Sequence, residues 1–198
     1  LGTAAVDLGA LSNFWYFFNV RERIYDFTER LCGARLTTNY TRIGGLMRDF
    51  PEDAEKEIRE ILKKLSQAIK DVGRLLERNR IFMDRTQEVG VISREEAVSW
   101  GFTGPCLRAS GVPFDLRRAE PYYHYDLFDF EIPVGTVGDV NDRLMVRFEE
   151  MRQSARIIEQ ALRVLPRGPV MVDDPRVALP DKDQVYKNIE GLMNHFML

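Results

Sequence analysis

The sequence has 198 residues, 44% of them apolar and 30% charged, with a formal net charge of −3. This is an ordinary globular composition, and a single domain of this length buries roughly 70% of its unfolded surface. The charge balance gives no basis for nucleic-acid binding. Cys32 and Cys106 stand alone, with no Cys-x-x-Cys or Cys/His cluster. They offer neither a disulfide framework nor a readable metal site, and they imply a reducing compartment.

The stretch before Arg21 carries a single charge, Asp7. Gly2, Gly9, Ser12 and Asn13 dilute its apolar character and Arg21-Glu22-Arg23 ends it, so a buried core helix fits better than a membrane span. The basic start of a signal peptide is absent. Residues 3–32 read as one long helix, with Gly33 as its C-cap. Phe14, Trp15, Tyr16, Phe17 and Phe18 put rings on every face, as in a helix at the centre of a larger body. In a chain studied alone such a helix leaves large apolar patches uncovered.

Residues 36–50 read as a loop hinged at Gly44-Gly45, and Pro51 reads as the first position of a helix with Glu52 and Asp53 in its first turn. Ile58, Leu62, Leu65, Ile69, Val72 and Leu76 repeat at alternating spacings of four and three, the mark of a helix-bundle seam. Residues 80–86 read as a short helix. Ser93, with Glu96 three residues on, predicts a capping box for a helix ending near Trp100.

Residues 101–126, GFTGPCLRASGVPFDLRRAEPYYHYD, separate two helical halves. This stretch is too rich in Gly and Pro for a helix and too aromatic for a disordered linker; a loop of this length inside a compact chain is usually functional. Residues 112–134 contain the strand candidates, near Phe114 and at 128–134, so 101–135 reads as a loop with a small β insertion. Asp139 caps the last long helix, whose seam is Leu144, Phe148, Met151, Ala155, Ile158, Leu162 and Leu165. Pro166 stops it. Pro166, Pro169, Pro175 and Pro180 mark an extended connector, and 181–198 read as a final helix. The fold class is mainly α: a single domain over 1–198, a bundle of long helices.

The run GPCLRASG at 104–111, then Asp115-Leu116-Arg117 and Pro121-Tyr122-Tyr123-His124-Tyr125-Asp126, resembles the D-type subunit of respiratory complex I. That is the NADH:quinone oxidoreductase component related to the large subunit of [NiFe] hydrogenases. Asp7-Leu8-Gly9-Ala10, Gly33-Ala34-Arg35, Asn39-Tyr40 with Arg42-Ile43-Gly44-Gly45, Gly138-Asp139 with Asp142-Arg143, and Glu150-Met151-Arg152 follow in the family's order. Each motif alone is weak; their order and spacing along nearly the whole chain are specific. The family's proteins are about twice this long, so the resemblance implies that this is their middle portion, one part of a hydrogenase large-subunit-like fold.

The resemblance also implies roles. It places Asp7 beside the quinone headgroup, next to a histidine that with a tyrosine binds that headgroup. Both of these belong to the family's N-terminal part. It places the loop from Thr37 to Gly45 near the terminal 4Fe-4S cluster, which the neighbouring B-type subunit carries. Many members have a histidine where Thr37 stands, and that histidine couples cluster reduction to protonation. Arg42 could add positive charge near the cluster. The chain itself would bind no cofactor and no metal, with quinone as substrate. Its partners would be the other complex I subunits: the B-type and C-type subunits and the H-type membrane subunit. The implied location is peripheral, on the cytoplasmic side of the bacterial inner membrane.

The residues alone leave other readings open. Asp7 could be a structural carboxylate tied to an arginine or a backbone cap, and Arg42 a loop ion pair. Arg108, Asp115, Arg117 and Asp126 fit hydrogen-bonded ion pairs that hold the loop's shape better than subunit contacts. His124 and His195 lack ligand-spaced partners. Ser110 lacks the G-x-S-x-G context of a nucleophile, and neither a P-loop nor G-x-G-x-x-G is present. A [NiFe] hydrogenase large subunit, whose Cys-x-x-Cys pairs would lie outside this stretch, and a non-catalytic helical scaffold are the alternative functions.

Overall fold

A computed structural model describes residues 1–174 and 176–197; Pro175 and Leu198, read above as part of the connector and of the last helix, lie outside the described residues. The architecture is mainly α. In chain order come helices α1 (Gly2–Asp7) and α2 (Leu11–Cys32), strands β1 (Thr41–Arg42) and β2 (Gly45–Leu46), and helices α3 (Ala54–Leu76), α4 (Arg80–Thr86), α5 (Arg94–Ser99), α6 (Gly104–Ala109) and α7 (Leu116–Ala119). A 3-10 turn (Tyr125–Leu127) then precedes α8 (Val140–Arg163), α9 (Lys182–Lys187) and α10 (Ile189–Met197). Where the sequence suggests one domain, packing divides the chain into two compact units. One is Leu1–Arg21 with Ile58–Leu165, the other Glu22–Glu57 with Pro166–Leu198.

The core of the first unit is built by the two predicted seams. Ile69, Val72 and Leu76 of α3 meet Leu144 and Phe148 of α8, with Phe82 of α4 joining them. Phe148 is 1% exposed and Val72 fully buried. The α8 seam holds at its N-terminal half only. Ile157 is buried while Ile158 is 40% exposed, because at about 3.6 residues per turn Ile157 stands one turn beyond Gln153, on the helix face that meets the 128–134 run and not on the seam.

The expected single helix over 3–32 is in fact two. Gly9 has φ +88°, a left-handed backbone that glycine adopts without a Cβ penalty. The amide of Ala10 donates to the Ala5 carbonyl at 2.7 Å and that of Gly9 to Val6 at 2.8 Å. This is the Schellman pair that ends a helix. Nor is α2 buried all round. Phe17 packs 6.0 Å from Phe148, centroid to centroid, but Leu11, Trp15, Tyr16 and Ile24 are exposed. Rings on every face cannot all meet one neighbouring layer, so these apolar side chains are left uncovered.

α3 starts at Ala54 and not at Pro51: the Ala54 amide donates to the Pro51 carbonyl at 3.0 Å in a turn that precedes the helix. Other boundaries follow the local signals. Asn79 accepts from Ile81 and Phe82 to cap α4. Ser93 and Glu96 form the complete capping box of α5, and the Asp139 carboxylate accepts from the Asp142 amide at the start of α8.

The strands expected at 112–134 do not form. Among the described residues, 101–135 contain α6, α7 and the 3-10 turn, and the named strands are β1 and β2. Asp115, next to Phe114, is the N-cap of α7. Residues 128–134 have no strand beside them. The Asp129 amide donates to Gln160 Oε1 at 2.8 Å, the Glu131 amide to Gln153 Oε1 at 3.0 Å, and Gln160 returns a bond to the Asp129 carbonyl at 2.7 Å. Glutamines of α8 thus take the place of a neighbouring strand, satisfying alternate amides.

In the second unit β1 and β2 pair antiparallel, Thr41 with Leu46 and Arg42 with Gly45. The 166–174 segment runs alongside: the Leu46 amide donates to Val170 at 2.8 Å and the Val172 amide to Gly44 at 2.9 Å. A Cβ on Gly45 would lie 2.1 Å from the Val170 carbonyl oxygen, so this close approach needs glycine. The segment expected as the last helix over 181–198 is two helices, α9 and α10.

Candidate functional site

Of the residues selected from the sequence, Arg108, Asp115 and Arg117 come together. α6 directs Arg108 inward, where its side chain is 9% exposed. Its Nε donates to Glu150 Oε1 of α8 at 2.8 Å, with Nη2 on the same oxygen, and Nη1 donates to the Phe114 carbonyl at 2.9 Å. Asp115 accepts from the Arg117 amide and Nε, each at 3.0 Å, and from Nη2 at 2.7 Å. The Arg117 guanidinium lies 4.8 Å from the Phe130 ring centre and 5.7 Å from Tyr125, within cation–π range. Asp126 is exposed on the 3-10 turn and makes none of these contacts, which corrects its assignment to the loop's ion pairs. The partner that the sequence does not suggest for Arg108 is Glu150, although Glu150-Met151-Arg152 is itself a motif. Nothing local links two residues 42 positions apart.

The Gly138-Asp139 and Asp142-Arg143 motif holds the adjoining turn. Asp142 Oδ2 accepts from the amides of Thr136, Val137 and Gly138 at 2.8, 2.6 and 3.2 Å. Arg143 Nη2 donates to the Gly90 and Gly138 carbonyls at 2.7 and 2.8 Å. These residues shape backbone. A cleft of about 290 Å³ does open between α3 and α8, floored by Leu62, Ile69 and Ala155. None of the site residues selected from the sequence lines it.

The hydrogen bond from the Arg117 side chain is the main reason the Asp115 carboxyl titrates below its ordinary range, burial opposing it. A carboxylate with a depressed folded pKa contributes stability above its unfolded pKa of about 3.9, and that contribution is lost as pH falls through the folded value. The urea midpoint is therefore expected to fall on acidification below about pH 4, and more steeply than in an Asp115→Asn variant. Parallel acid limbs for the two proteins would mean that the pair adds nothing in the native state.

Asp7 is the last residue of α1 and is exposed. Thr37 and Arg42 belong to the second unit, Thr37 in the loop after α2 and Arg42 on β1, both exposed. Leu36 and Ile43 beside them are 67% and 78% exposed, so this loop presents apolar as well as charged groups. Arg35, just before it, binds three carboxylates of α2, a cluster the sequence does not suggest. His124 has a left-handed backbone, φ +65°, and is exposed. Among the described residues no group of three or more His, Cys, Asp or Glu side chains is placed to hold a metal ion, and no helix is long and apolar enough to cross a membrane.

Residues 7–198 match the family model described as respiratory-chain NADH dehydrogenase, 49 kDa subunit. The chain belongs to this family. It is 52% identical over 198 residues to the C/D-type NADH-quinone oxidoreductase subunit of Bdellovibrio bacteriovorus, covering 100% of this chain and 35% of that protein. It is 50% identical over 198 residues to the D-type subunit of Methylacidiphilum infernorum, covering 100% of this chain and 47% of that protein. With the D-type subunit of Myxococcus xanthus the identity is 48% over 198 residues, 100% of this chain and 48% of that protein. The chain thus spans about half, or less, of the length of these relatives. The resemblance read from motif order is the relationship the whole sequence has. In this member of the 49 kDa family the GPCLRASG run takes the form of α6 and its C-terminal turn, closed by Arg108 on Glu150.

Proposed function

We propose that this chain is a part of the quinone-reducing module of a proton-pumping NADH:quinone oxidoreductase, within a hydrogenase large-subunit-like fold. The observation that carries this reading is the match along the whole chain to proteins named as D-type NADH-quinone oxidoreductase subunits. Electrons reach quinone from the terminal 4Fe-4S cluster of the B-type subunit, and two electrons with two protons convert quinone to quinol. The chain binds no cofactor of its own; it supplies position and charge. The B-type and C-type subunits and the H-type membrane subunit surround it on the cytoplasmic face of the bacterial inner membrane. Asp7 lies beside the quinone headgroup, and the loop that carries Thr37 and Arg42 faces the cluster. The exposure of that loop, with Leu36 and Ile43 uncovered, supports a protein neighbour there. Arg108, Asp115 and Arg117 serve architecture.

The placement of the loop is tested by Thr37→His in the assembled enzyme. A cluster that gains an electron raises the pKa of a nearby imidazole, so reduction takes up a proton. The midpoint potential should then fall with rising pH, by up to about 59 mV per pH unit for a one-electron step. The unchanged protein has threonine there and should show a flatter dependence. Equal slopes in potentiometric titrations at several pH values would remove the loop from the cluster.

A further inference from the structure

We infer that Arg35 is a positioning residue: it latches the loop from Leu36 to Arg42 onto the end of α2 and so fixes where Thr37 and Arg42 stand. The inference rests on the reading of this loop as the one facing the cluster.

The geometry is a chain that turns back on its own helix. α2 ends at Cys32, and after the turn at Gly33 the Arg35 side chain reaches back along the helix. Its Nη2 donates to Glu22 at 2.5 Å, and its Nη1 to Asp26 at 2.9 Å and Glu29 at 3.1 Å. Positions 22, 26 and 29 are spaced four and three apart, so the three carboxylates share one helix face. The guanidinium also sits 5.5 Å from the Tyr25 ring centre. The backbone is tied as well: the Thr28 hydroxyl lies 3.0 Å from the Arg35 carbonyl, sharing its proton with the Tyr25 carbonyl.

A single exposed ion pair contributes little, because ordering two long side chains offsets the attraction. Here one guanidinium orders three acids, and without it those acids repel one another along the helix face. The latch immediately precedes Thr37, and the hairpin fastens the other end: the Met47 amide donates to Tyr40 at 2.8 Å. Residues 36–39 are held by these two anchors. With one anchor cut, a side chain at 37 samples a range of distances, and its electrostatic coupling to any fixed neighbour falls.

The test uses the assembled enzyme with Thr37→His as a reporter, alone and combined with Arg35→Gln or Arg35→Lys. Thr37→His alone should make the cluster potential pH-dependent. Adding Arg35→Gln should reduce that slope at least two-fold, at equal amounts of assembled enzyme. Arg35→Lys keeps the charge but cannot span three acids, and should fall between. In the chain itself, hydrogen exchange at the Thr38 and Met47 amides should quicken about tenfold in Arg35→Gln. If Thr37→His alone gives no slope, the placement of the loop is wrong. If it gives a slope that Arg35→Gln leaves intact, with exchange unchanged, the latch is overturned while the placement stands.

Discussion

Replacing Glu150 by alanine is expected to lower the unfolding free energy of the first unit by about 3 kcal/mol, since removing one partner of a buried pair leaves an uncompensated charge. Arg108 and Glu150 side chains are 9% and 19% exposed. In the variant, Arg108 keeps its bond to the Phe114 carbonyl, but Nε and Nη2 lose their acceptor. Asp115 compensates only in part, as an ion pair without a hydrogen bond. Its Oδ2 is already 3.9 Å from Arg108, and both of its oxygens are taken by Arg117. At an m-value of about 2–3 kcal/mol per M, the urea midpoint should drop by more than about 1 M. The double replacement Arg108→Met with Glu150→Leu should recover most of that loss, because it removes the stranded charge along with its partner. Circular dichroism through urea titrations of the three proteins checks this. A shift below about 0.3 M for the single variant would show that the pair behaves like an exposed one.

The sequence pattern and the structure agree where a rule depends on near neighbours. The α3 seam from Ile58 to Leu76, the Ser93 and Glu96 capping box and the Asp139 cap are all set within a few residues, and all form. Disagreement begins where distant groups decide. The β-rich run 128–134 has the composition of a strand, yet Gln153 and Gln160 of α8 take its amides. Neither glutamine belongs to the α8 seam that the spacing picks out. The break at Gly9 is hidden in the sequence because apolar residues continue on both sides of it, and only the left-handed φ separates α1 from α2. Of the site, the motif order makes the family legible, but not the contacts. The sequence selects Arg108 without its partner Glu150, and the Thr37 loop without the α2 carboxylates that hold Arg35 before it, because those partners lie on other elements. Asp126 groups with the arginines by nearness in sequence, and the 3-10 turn carries it out to the surface.

Asp7→Asn in the full assembly is expected to reduce quinone reductase activity by one to two orders of magnitude, roughly 1.4–2.7 kcal/mol of barrier, while sparing NADH oxidation by artificial acceptors. Asn keeps the volume, and at an exposed position closing a short helix it removes no packing. α1 ends through backbone bonds at Gly9 and Ala10 that do not use the Asp7 side chain, so the fold should survive the change. What is lost is charge. On the placement proposed above, the Asp7 carboxylate would hold up the pKa of a protonated histidine at the quinone; without that charge the pKa would fall, and a proton source for quinol formation would weaken. A purely structural role predicts something different: assembly should suffer, and both activities should fall together. The deciding quantity is the ratio of quinone to artificial-acceptor rates in membranes holding equal amounts of assembled enzyme. A ratio equal to that of the unmodified enzyme would remove Asp7 from the quinone chemistry.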